Sequence, residues 1–63
     1  MKETLEERLK DYIEDCKWTV NNLEKELEYW KVLDNQYKVI EYKTSIENIK
    51  NDIEVLTDIL KGN

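Results

Sequence analysis

At 63 residues, with a net charge of −5 and a single cysteine, the chain has room for one small domain and lacks two of the usual supports of a small core. No intrachain disulfide can form, and there is no histidine to help bind zinc, so association with another chain is the support that is left. The acidic balance, about −3 over residues 1–33 and −2 over residues 34–63, argues against a general binder of phosphate backbones and for a basic or neutral protein surface as partner.

The N-terminal run from Met1 to Arg8 is too charged for a signal peptide, and no apolar segment approaches the length of a membrane span. The chain is therefore expected to be cytoplasmic, without a membrane partner. Alanine, proline, histidine and phenylalanine are absent, whereas lysine, isoleucine, asparagine and glutamate are plentiful. That bias suggests an AT-rich coding genome, such as that of a low-GC bacterium or one of its phages.

In chain order, Thr4 followed by Glu7 fits a capping box, so a first helix is expected over about 4–33. From Leu9 the apolar residues recur at steps of four and three: Leu9, Ile13, Cys16, Val20, Leu23, Leu27, Trp30. This is the stripe of a coiled-coil-like helix, with Ile13, Val20 and Leu27 at heptad position a and the others at d. Cys16 belongs to this stripe and reads as a small buried hydrophobe. Leu33-Asp34-Asn35-Gln36 reads as a turn over about 33–36, with Asp34 or Asn35 suited to forming it and to capping the second helix. That helix, over about 36–61, carries Val39, Tyr42, Ile46, Ile49, Ile53, Leu56 and Leu60, and Gly62 suits its C-terminal stop.

The two stripes mirror one another. Trp30 matches Val39, Leu27 matches Tyr42, and so on out to Leu9 and Leu60, the paired numbers always adding to 69. In an antiparallel hairpin each pair forms one layer. A single helix of about 60 residues is the competing architecture, but continuing the first frame would put Asp34, Glu41 and Asn48 into the seam, which costs stability without partners. The expected fold class is therefore all-α: one antiparallel two-helix hairpin over 1–63, dimerising into a four-helix bundle.

One flank of the seam carries Lys10, Lys17, Glu24 and Lys31 beside Lys43, Lys50 and Thr57 and should stay wet, with Glu24 near Lys43 as its one complementary pair. The other carries Leu5, Tyr12 and Leu33 with Tyr29, facing Val55 and Ile59. An apolar flank of this kind marks an interface, for a second copy in a bundle or for a different protein. Trp18 and Val32 lie at position f, furthest from the seam, where an aromatic residue either lies over lysine stems such as Lys25 or anchors a partner. Leu5, Tyr12, Val55, Ile59, Trp18, Tyr29 and Val32 are thus the candidate interface residues.

No constellation points to catalysis, to a cofactor or to a metal. Carboxylates four apart, such as Glu3 and Glu7 or Asp11 and Asp15, take outward positions without the histidines of di-metal bundles. The only glycine, Gly62, makes no phosphate loop, and Ser45 and Cys16 have no histidine as base. The reading is a non-enzymatic protein–protein interaction module, a bacterial or phage regulator or inhibitor, with no direct nucleic-acid binding. An acidic mimic of nucleic acid, built on Glu3, Glu6, Glu7, Asp11, Glu14 and Asp15, is the alternative, although Arg8, Lys10 and Lys17 interrupt its field. A structural assembly subunit is the third reading.

In length and in its helix, short turn, helix plan the chain is similar to the plasmid copy-number RNA-binding hairpins of the Rop family, which are antiparallel dimeric four-helix bundles. The likeness is architectural and implies the bundle alone. That family holds RNA through basic and polar groups on its first helix, and the first helix here is acidic.

Overall fold

The computed structural model describes residues 4–62; Met1, Lys2, Asn63 and Glu3 of the acidic run lie outside the described residues. Helix α1 spans Leu5–Val32 and helix α2 spans Gln36–Leu60, and they fold back on each other as an antiparallel hairpin. Among the described residues there is no strand.

Each helix begins on a side chain that satisfies an end amide. The Thr4 hydroxyl accepts from the Glu7 N–H at 3.1 Å, and the Asn35 side-chain oxygen accepts from the Lys38 N–H at 3.1 Å. These are two of the amides that a helix N-terminus leaves without an internal partner. Glu6 and Glu7 in the first turn of α1 and Lys31 in its last complement the helix dipole.

The turn is a Schellman closure. The Asp34 N–H donates to the Lys31 carbonyl at 3.1 Å, and the Asn35 N–H donates to the Trp30 carbonyl at 3.1 Å. This geometry demands a left-handed residue, and Asp34 supplies it at φ 55°. Asp34 thus ends α1 while Asn35 starts α2, so reversal takes three residues between the helices. At the far end Gly62 is again a left-handed residue, with φ 81° and its N–H donating to the Ile59 carbonyl at 3.0 Å.

Every residue of the two stripes is buried or half-buried. Ile13, Val20, Leu27 and Ile46 are the buried ones, and Val20, Leu27 and Ile46 form a cluster against Leu23, Val39, Tyr42, Ile49 and Ile53. Near the turn the seam is aromatic. Trp30 meets Tyr29 edge-on at 5.2 Å and Tyr42 at 6.4 Å, and the Lys38 ammonium lies 5.5 Å from its ring centre.

The core is thin. Two helices side by side make a slab 47 × 26 × 11 Å, one helix thick, and no large side chain among the described residues is fully buried. In α1 the a residues Ile13, Val20 and Leu27 are buried, whereas the d residues Leu9, Cys16, Leu23 and Trp30 are half-buried; in α2 Ile46 is the buried a residue, and Val39, Ile53 and Leu60 at a are half-buried like Tyr42, Ile49 and Leu56 at d. One seam covers a side chain from the partner helix alone, so both broad faces of the slab leave seam residues half covered. Cys16, expected to be buried, is half-buried for this reason.

Ion pairs are mostly local to one helix, as for Lys10 with Glu6 and Lys17 with Glu14. Across the seam Glu24 pairs with Lys50 at 3.4 Å, not with Lys43. Side chains on a helix lean towards its N-terminus, so in an antiparallel pair Glu24 leans to the open end and Lys50 leans to the turn. They converge, while Lys43 leans away. With both side chains about half exposed, the pair contributes roughly 0–1 kcal/mol.

Candidate interface

All seven residues expected to mark an interface are exposed, from Val55 at 50% to Val32 at 83%. The structure divides them into three places.

Tyr12 and Val55 come together across the apolar flank. They line one groove with Asp52 and Leu56, and Tyr12 continues into a second groove with Asp15, Cys16, Thr19, Ile49 and Asp52. The floors of both grooves include d residues of the seam, namely Cys16, Ile49 and Leu56. The Tyr12 phenol is held above its ordinary pKa, first by the charge that a neighbouring Cys16 thiolate would carry, then by a hydrogen bond with Cys16, by desolvation, and by Asp52. Leu5 and Ile59 extend the same flank towards the open end, and both are more than half exposed.

Tyr29 sits near the turn, with its ring against the edge of Trp30. It is 60% exposed and linked through Trp30 to the aromatic end of the seam. Tyr12 and Tyr29 lie on one flank, separated by polar Asp15, Thr19 and Glu26, so the apolar flank is two patches rather than one band.

Trp18 and Val32 stand alone on the outer line of α1. Trp18 is 70% exposed, so lysine stems do not blanket it, and the lysine that does lie over a tryptophan is Lys38 over Trp30. Fourteen residues of helix, about 21 Å at 1.5 Å per residue, separate Trp18 from Val32.

Besides Leu33 of the apolar flank, two further exposed apolar residues lie outside the set expected from the sequence. Tyr37 is 89% exposed and Ile40 is 64% exposed, both at the start of α2. The rule that singles out Trp18, an apolar residue off the stripe, finds them too when it is applied to the second helix. With Val32 and Leu33 they make the turn end greasier than the middle.

Of the acidic residues of α1, Glu6 and Glu14 reach Lys10 and Lys17 at 3.5 and 3.7 Å. No group of three or more histidine, cysteine, aspartate or glutamate side chains among the described residues is placed to hold a metal ion. No described helix is long and apolar enough to cross a membrane. Comparison with protein families, with curated proteins and with solved structures found no match to this chain.

Proposed function

We propose that the chain is a small non-enzymatic protein–protein interaction module, one that self-associates as a dimeric four-helix bundle and binds another protein through exposed apolar and aromatic helix surface. A bacterial or phage regulator or inhibitor is the role that suits its size and its AT-rich residue usage.

The observation that carries the reading is Trp18. Its indole is 70% exposed on the line of α1 furthest from the seam, where it serves neither the hairpin nor the apolar flank. Tryptophan is enriched among the residues that carry binding energy when a partner desolvates them.

The test is affinity capture from a low-GC bacterial lysate with the native chain and its Trp18→Ala and Tyr12→Glu variants. Trp18→Ala should keep its helicity, changing stability by no more than about 0.5 kcal/mol as an exposed site does, and should lose the captured protein. Binding should persist as ionic strength rises, because an apolar contact is not screened. Steep weakening with salt would move the reading to the acidic mimic. Capture of no protein by the native chain would leave a structural subunit instead.

A further inference from the structure

The two broad faces of the slab are unlike. Seam residues floor grooves on both, but those over Ile13 and Leu60 are rimmed by Lys10, Glu14 and Lys17, whereas those over Cys16, Ile49 and Leu56 lie beside exposed Tyr12, Val55 and Ile59. We infer that this second face is the self-association surface, covered by the same face of a second copy, and that Cys16 is enclosed there, while Trp18 stays on the outside. The inference rests on the bundle proposed above and specifies which face builds it.

Three observations select a second copy as the occupant. The grooves are not separate pockets: their floors are seam residues, so whatever fills them completes the hairpin's own core. Among the described residues the hairpin buries Ile13, Val20, Leu27 and Ile46 and no others, a core that two packed helices need to extend. The cover must therefore be present whenever the chain is folded, which an identical copy meets at any time of synthesis. The area also fits. A slab 47 × 26 Å across presents a face on the order of 1,000 Å², which accommodates the roughly 800 Å² per partner of a standard stable interface. An isologous pairing of identical faces closes at two copies and leaves no open edge for further growth.

Cys16 gives a native reporter, since it is the chain's only thiol. Sedimentation of the full chain from low to high micromolar concentration is paired with the rate at which Cys16 reacts with a chromogenic disulfide reagent. The expected result is a two-chain mass, with Cys16 reacting at least about tenfold more slowly in the dimer than in the dilute chain and both signals sharing one midpoint. Tyr12→Glu should raise the dissociation constant by at least about thirtyfold, as loss of a central aromatic anchor does, and restore thiol reactivity; Trp18→Ala should leave both within about twofold.

A monomer mass over the whole range with a constant reaction rate would overturn the inference. So would a dimer whose Cys16 stays as reactive as in the dilute chain. If Tyr12→Glu fails to fold, the native chain's mass and thiol rate still decide. A monomeric chain that still loses its captured partner on Trp18→Ala would refute this face and leave the protein-binding reading standing.

Discussion

Replacing Asp34 with glycine should stabilise the hairpin by up to about 0.6 kcal/mol. Asp34 is the left-handed residue of the turn, at φ 55°, and both the Asp34 and Asn35 amides close onto α1 only if it stays there. For an L residue that conformation costs about 1–2 kcal/mol, at the low end for aspartate, whose short polar side chain tolerates it. Glycine removes the strain but adds freedom to the unfolded chain worth about 0.4–1 kcal/mol. The carboxylate contributes little to the difference, because it lies just past the negative end of α1 and just before the positive end of α2. Asp34→Ala keeps the Cβ and loses the polar group, so it should be less stable than the native chain. The order glycine, aspartate, alanine would be read from thermal denaturation monitored by circular dichroism, with about 4–8 °C per kcal/mol at this size. Chain concentration must be held fixed, since association raises the midpoint. A glycine variant no more stable than the alanine variant would refute the reasoning.

Ile46→Ala removes a buried side chain at the centre of the cluster with Val20 and Leu27 and should cost about 2–5 kcal/mol, enough to abolish helicity at room temperature by circular dichroism. Glu24→Gln cuts the ion pair across the seam, and urea denaturation should change by less than about 1 kcal/mol because both partners are exposed. In a spectrophotometric titration, Tyr12 should ionise above the ordinary tyrosine range, and Cys16→Ala should bring it down, since Cys16 is the main cause of the shift. Its raised pKa means the folded chain holds that proton more tightly. Any stability it contributes is present below pH 10 and is lost as pH rises through the folded value.

The hairpin was legible because apolar spacing alone sets which residues can share a seam, and every residue of the mirrored stripe is buried or half-buried. The division of labour in the turn was not. Aspartate and asparagine both suit a left-handed residue and both suit an N-cap, so only the backbone separates Asp34 from Asn35. Glu24 pairs with a different lysine from the one its layer suggests, because layer numbering places backbones and ignores the lean of side chains along each helix. At the candidate interface, apolar residues off the stripe of α1 locate Trp18 and the Tyr12 flank, while Tyr37 and Ile40 satisfy the same rule on α2 and stand outside the expected set. The half-exposure of Cys16 depends on there being one seam and not two, a count that periodicity does not supply.

The antiparallel pairing also orders the steps of folding. Trp30 and Tyr42 meet beside the turn with a short intervening chain, Glu24 and Lys50 meet 26 residues apart, and Tyr12 and Leu56 share a groove across a longer stretch still. Loop closure costs rise with the logarithm of length, and from the aromatic contact to the open end the difference is about 1 kcal/mol. Contacts are nested, so each one formed shortens the loop for the next. The chain should close as a zipper from its aromatic end, where Trp30 fluorescence would register the first step, and fray from the end that carries Leu5 and Leu60.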